Sequence, residues 1–145
     1  MSFSNLLGPT HVSASGLSAE RFRMEVIANN IANANTTSDA NGQPFRRREV
    51  VFAAELANAT ANKHGAPSGG VRVVGVNEDA SEQPRVYRPG HPHADEEGYV
   101  TMPNVNLSNE MVDLITATRG YEANLKVMNA YKDSIRQSLA LLRAA

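Results

Sequence analysis

Residues 107–143 read LSNEMVDLITATRGYEANLKVMNAYKDSIRQSLALLR, and their spacing decides the fold. Steps of four and three along this stretch collect Leu107, Met111, Leu114, Tyr121, Leu125, Met128, Ile135, Leu139 and Leu142, with Thr118 and Lys132 as the interruptions. A rhythm held for about five heptads favours a coiled-coil helix over an ordinary globular one. Asn106 or Ser108 can cap its start by accepting from free backbone N–H groups, and no proline follows Pro103. Gly120 is the weak point of the helix. At a rise of about 1.5 Å per residue the stretch would make a rod of roughly 55 Å. A weaker apolar stripe, Val112, Ala123, Val127 and Ala130, projects roughly opposite Leu114 and Leu125.

The N-terminal segment repeats the idea. Leu7, Ala14, Leu17, Met24, Ala28 and Ile31 follow the same rhythm, interrupted by Thr10 and Arg21. Phe22 and Val26 fall on the side opposite Leu17 and Met24. Each helix thus has two apolar surfaces, one to pair within the chain and one to face solvent or another molecule. The N-terminal pattern ends near Asn35, so an intrachain hairpin would leave part of the longer C-terminal seam for neighbouring subunits to cover.

Between the helices the texture changes. Asn41-Gly42, Pro67, Gly69-Gly70, Pro84, Pro89-Gly90, Pro92, Gly98 and Pro103 punctuate residues 36–104 as turns and loops. Short strands are expected at Arg48–Phe52, Val71–Val76, Arg85–Tyr87 and Tyr99–Met102. The stretch at about 58–70 lacks periodicity and reads as a mobile loop. The expected fold is mainly α with a small β-rich insertion. A discontinuous coiled-coil domain, residues 1–35 and 105–145, encloses a central irregular β module, residues 36–104.

Composition narrows the function. Fourteen Lys+Arg against fifteen Asp+Glu give a formal charge of -1, which supplies no global field for nucleic acid or an anionic membrane. There is no cysteine, which excludes disulfides, thiolate metal sites and a cysteine nucleophile. The first ten residues carry no Lys or Arg, and no apolar run of signal-peptide length follows, so no cleaved secretory signal is expected. No stretch approaches the roughly 20 apolar residues that span a bilayer.

One constellation invites a catalytic reading. His91, His93 and Asp95 have the HxHxD spacing with which imidazoles and a carboxylate can converge on zinc, similar to the metal box of metallo-β-lactamase-like hydrolases. That pattern normally continues with a further histidine where this chain has Glu96. A Pro-Gly turn carrying polar side chains, closed by Gly98, accounts for the same residues. Arg46-Arg47-Arg48, flanked by Phe45 and Phe52, is the one basic run. In a neutral chain it reads as an exposed strand edge or an intersubunit ion-pair surface more readily than as a nucleic-acid site. No GxSxG elbow, P-loop or GxGxxG is present. No cofactor, metal, nucleic acid or small-molecule substrate is expected.

Asn29, Asn30, Asn33 and Asn35 crowd four asparagines into seven residues. They fit either a fraying helix end before Thr36-Thr37 or a hydrogen-bond network that fixes how helices dock in an assembly, as a buried Asn fixes coiled-coil register.

The run Val26-Ile27-Ala28-Asn29-Asn30-Ile31-Ala32-Asn33-Ala34-Asn35-Thr36-Thr37 resembles the N-terminal signature of the flagellar rod and hook proteins. Three further runs resemble the proximal-rod branch of that family: Pro89 to Asp95 continuing through Gly98-Tyr99-Val100 to Asn106, Glu110 to Ile115, and Arg119 to Asn124. The family more often has Ala where Gly120 stands, and residues 38–88 match mainly in layout.

The resemblance implies a non-enzymatic subunit of the proximal rod that assembles helically and carries torque from the membrane ring to the distal rod and hook. Its implied partners are other copies of itself, other rod subunits, the membrane-ring/rod adaptor and the type III export apparatus. Its implied place is the periplasmic part of the basal body, reached without signal cleavage. The helix-packing and docking residues expected on this reading are Leu17, Phe22, Met24, Val26, Asn29, Asn30, Ile31, Asn33, Asn35, Leu114, Tyr121, Leu125, Met128 and Ile135. A generic coiled-coil adaptor is the competing non-enzymatic reading.

Overall fold

A computed structural model describes residues 3–39, 41–55 and 69–144 of the chain. The mobile loop expected at about 58–70 lies outside the described residues except for Gly69 and Gly70. Helix α1 spans Phe3–Ala32 and helix α2 spans Leu107–Ala144, with strands β1 (Arg48–Ala54), β2 (Val71–Glu78), β3 (Arg85–Tyr87) and β4 (Tyr99–Thr101) between them. The architecture is mainly α with a small β insertion, and each expected strand is present. At about 1.5 Å per residue, the 38 residues of α2 make a helix of roughly 57 Å. No helix among the described residues is long and apolar enough to cross a membrane.

Local chemistry sets the ends of the elements. Asn106 Oδ1 accepts from the Asn109 N–H at 3.2 Å, so Asn106 and not Ser108 caps α2. Such a cap contributes about 1 kcal/mol. Helix α1 ends at Ala32, where the backbone turns through Asn33 to Thr36. The excursion that follows closes when the Phe45 N–H donates to the Thr36 carbonyl at 3.1 Å. Within it, Asp39 Oδ1 accepts from the N–H groups of Asn41 and Gln43, and Gly42 takes the left-handed φ of 77° that the turn demands.

The strands form two separate two-stranded sheets, β1 with β2 and β3 with β4. Asp79 N–H to Arg47 O at one end of the first sheet and Glu55 N–H to Gly70 O at the other make it an antiparallel ribbon. The second sheet is antiparallel, with Val86 opposite Val100.

The chain divides into two compact units. The first comprises Met1–Phe22, Phe52–Val74 and Ala117–Ala145. In it α1 and α2 run antiparallel, with Gly16 against Asn124 and Gly120 against Glu20. Ser13, Ala19 and Ala117 are buried in this unit. The ribbon meets α1 here, where Ser15 Oγ accepts from the Val71 N–H at 3.1 Å. A Cβ on Gly70 would stand 2.8 Å from that hydroxyl, so the approach needs glycine.

The second unit comprises Arg23–Val51 and Gly75–Thr116. Its core gathers Ile27 of α1, Phe45, Val100 of β4 and Pro103. Two polar side chains, Asn30 and Glu110, are fully buried with them.

Candidate assembly site

The buried face of each long helix is offset from the expected seam. On α2 the buried and half-buried positions are Glu110, Asp113, Leu114, Ala117, Gly120, Tyr121, Asn124, Met128, Tyr131 and Ile135. Leu114, Tyr121, Met128 and Ile135 belong to the apolar seam read from the sequence, while the alternate places shift by one residue, Met111 to Glu110 and Leu125 to Asn124. The same happens on α1, where Leu17, Met24 and Ile31 are half-buried and Ser13, Glu20 and Ile27 replace Ala14, Arg21 and Ala28. Glycine, alanine and short polar residues let helix axes approach closely, so the chain pairs its helices through a seam that a count of large apolar residues sees only in part.

This offset leaves an apolar stripe uncovered. Leu107, Met111, Ile115, Leu125 and Leu139 are 40–55% exposed and fall within about a third of the α2 circumference. Val112, Val127 and Leu141, on the opposite side, are 56–74% exposed.

The four asparagines have different positions. Asn29 and Asn35 are exposed. Asn33 closes the helix end: its Nδ2 donates to the Asn29 carbonyl at 2.9 Å and its Oδ1 accepts from Thr36 Oγ1 at 3.2 Å. Asn30 is fully buried. Its Oδ1 accepts from the Arg48 N–H at 2.9 Å, and its Nδ2 donates to the Arg48 carbonyl at 2.8 Å and to Glu110 Oε2 at 3.0 Å.

Around Glu110 the polar contacts extend. Arg47 Nε donates to Glu110 Oε1 at 2.5 Å, and the same guanidinium pairs with Glu49, with Asp113 at 3.5 Å and with Asp79 at 3.8 Å. Partial burial works against the Arg47 charge, but the bonds to Glu110 and Glu49 outweigh it and raise its pKa. Arg23 reaches the other Asp113 oxygen at 3.5 Å. Asn104 accepts from the Arg47 N–H at 2.8 Å and donates to Ser81 Oγ at 2.8 Å. An open cleft of about 450 Å3 beside this cluster is lined by Arg47, Asp79, Asn104, Asn106, Asn109, Val112 and Asp113. The basic run is thus divided: Arg47 is enclosed by carboxylates, Arg46 donates to the Asp79 carbonyl at 3.2 Å, and Arg48 lies over the Phe45 ring. Arg47 was expected only as part of the basic run, and Glu110 was not singled out as a contact residue; a carboxylate beside a heptad position is the one signal for it in the sequence.

The HxHxD residues serve the loop that carries them. Asp95 Oδ1 accepts from the N–H groups of Tyr99 at 2.8 Å and Glu97 at 3.0 Å, and Oδ2 pairs with Arg85. His91 Nδ1 accepts from the His93 N–H at 3.1 Å, and His93 Nδ1 shares a hydrogen bond with Thr37. Among the described residues no three His, Asp or Glu side chains are grouped as metal ligands. The donor set therefore gives the hydrolase reading no support.

Of the other expected contact residues, Val26 is half-buried, and Phe22 and Leu125 are exposed at 37% and 40%.

Two long terminal helices around a small β insertion are the architecture to which the chain's relatives give a role. The model of the family described as "Flagella basal body rod protein" matches residues 11–38, and that of "Flagellar basal body rod FlgEFG protein C-terminal" matches residues 96–141. The chain is 40% identical to the flagellar basal-body rod protein FlgC of Borreliella burgdorferi, over 95% of this chain and 98% of that one. Identity is also 40% to the proteins of the same name from Salmonella typhimurium, over 94% and 97%, and Bacillus subtilis, over 90% and 94%. The chain belongs to the FlgC family of flagellar basal-body rod proteins. It is a structural subunit of the rod and not an enzyme.

Proposed function

We propose that this rod subunit occupies the proximal rod, joins helically with copies of itself and with other rod subunits and the membrane-ring/rod adaptor, and carries torque toward the distal rod and hook. The terminal segments 1–35 and 105–145 form the assembly domain on this reading, and residues 36–104 stand outside it. The subunit reaches the periplasmic part of the basal body through the type III export apparatus without signal cleavage. Leu17, Phe22, Met24, Val26, Ile31, Leu114, Tyr121, Leu125, Met128 and Ile135 contribute helix packing; Asn29 and Asn35, both exposed, contribute docking directly, and Asn30 and Asn33 contribute to it through the bonds they make within the subunit.

The observation that carries this reading is the stripe Leu107, Met111, Ile115, Leu125 and Leu139, which the described residues of the chain leave exposed. Repeated apolar surface on one helix face marks an interaction site. The test is Met111→Asp with Leu125→Asp in a strain lacking the gene. The doubly substituted chain keeps the helicity of wild type by circular dichroism and fails to restore rods or swimming. Swimming at the wild-type level with the double substitution would sink the proposal.

A further inference from the structure

The buried contacts among Asn30, Arg48, Glu110 and Arg47 leave little freedom in how their groups are oriented. The Asn30 amide takes the Arg48 N–H on oxygen and gives to the Arg48 carbonyl from nitrogen. Turned over, it would set oxygen against that carbonyl and against the Glu110 carboxylate. Glu110 in turn meets a donor on each oxygen, Asn30 Nδ2 on Oε2 and Arg47 Nε on Oε1. Only a side chain that accepts at both ends satisfies that place, which a carboxylate does and a carboxamide does not.

The strand partner is equally restricted. The N–H and C=O of one strand residue point to the same side, and those of its neighbours point to the other. A slip of one residue at the start of β1 would therefore turn both Arg48 groups away from Asn30 and leave buried polar atoms unpaired, which is the costly outcome.

We infer that Asn30, Glu110 and Arg47 act as a register key. They specify which residue of the chain leaving α1 lies against which turn of α2, and incorporation into the rod depends on that register. These are positioning residues that act within the subunit: Asn30 and Glu110 are fully buried and Arg47 is enclosed by carboxylates. Buried polar groups of this kind can be replaced by apolar ones without loss of stability, while a buried Asn can set register. A role in register is thus separable from a role in stability.

Two variants of the full chain test this. One is Glu110→Gln, which keeps the shape and sets a donor against either Asn30 Nδ2 or Arg47 Nε. The other is the triple Asn30→Leu, Arg47→Met, Glu110→Leu, which makes the junction apolar. Each is purified for urea unfolding and expressed in the deletion strain for rod counts and swarm diameter. Wild type restoring rods is the control that tests the family function separately.

The expected result is a cooperative unfolding transition in at least one variant, together with at least a tenfold fall in rods per cell for every variant that folds. A folded variant that builds rods at the wild-type level overturns the proposal. Loss of the cooperative transition in both variants also overturns it, because the junction would then carry the fold itself.

Discussion

The carboxylate arm of Glu20 lies across Gly120: a Cβ built on that glycine would stand 3.2 Å from Glu20 Cδ and Oε1. The residue that looks like a flaw in a long helix is the place where α2 admits a side chain of α1. Gly120→Ala adds helix propensity of about 1 kcal/mol against a tight contact with the flexible end of a glutamate. Its net effect on urea unfolding is expected below about 1 kcal/mol. Gly120→Leu overfills the same space, and a loss of about 1–3 kcal/mol is expected. Equal stability for the Leu and Ala variants would count against the close approach.

Gly98 makes a second demand on backbone. Its φ is 83°, and a Cβ there would come 2.9 Å from Tyr87 Cε2 and 3.1 Å from Pro89 Cβ. Gly98→Ala combines left-handed strain with a clash, and a loss of about 1–3 kcal/mol is expected. Amide exchange across β3 and β4 should quicken with it, since the Gly98 carbonyl accepts from the Arg88 N–H at the end of that pair. Unchanged exchange at Arg88 would contradict this account.

Acid should loosen the turns of the central region. Backbone N–H groups hold three carboxyls below their ordinary pKa of 3.8: those of Gln43 and Asn41 at Asp39, that of Ser81 at Asp79, and chiefly that of Tyr99 at Asp95, aided by Arg85. A carboxyl whose pKa is lower in the folded chain stabilises it fully above the unfolded value and loses that contribution as pH falls through the folded one. Thermal midpoints should therefore hold at neutral pH and decline below pH 3.8. Asp95→Asn should start lower and decline less steeply. A decline of the same slope in that variant would remove Asp95 from the explanation.

Much of this architecture was legible because large apolar residues mark helices and turn residues mark their interruption. The heptad rhythm located α2 within one residue of its observed end, and Asn41-Gly42 and Gly98 announced turns that take positive φ. Part of the pairing face escaped because it is made of Ser13, Gly16, Glu20, Glu110, Ala117, Gly120 and Asn124, residues whose type alone does not announce burial. Asn30 could be read as a fraying helix end or as a group that docks helices in an assembly, and neither reading foresaw its two bonds to the Arg48 backbone of its own chain. Arg47 and Arg48 are adjacent in sequence, yet one faces buried Glu110 and the other covers an aromatic ring, a division that strand geometry imposes.

The closure of the ribbon between Glu55 and Gly70 has a consequence for how this protein can be altered. Chain added beyond that bond starts and returns at one fixed point, so its length is decoupled from the pairing that precedes it. Doubling such a connection costs only about 0.6 kcal/mol of closure entropy. An epitope or fluorophore inserted in the sequence between Glu55 and Gly70 is accordingly expected to leave that bond, and the pairing that precedes it, in place.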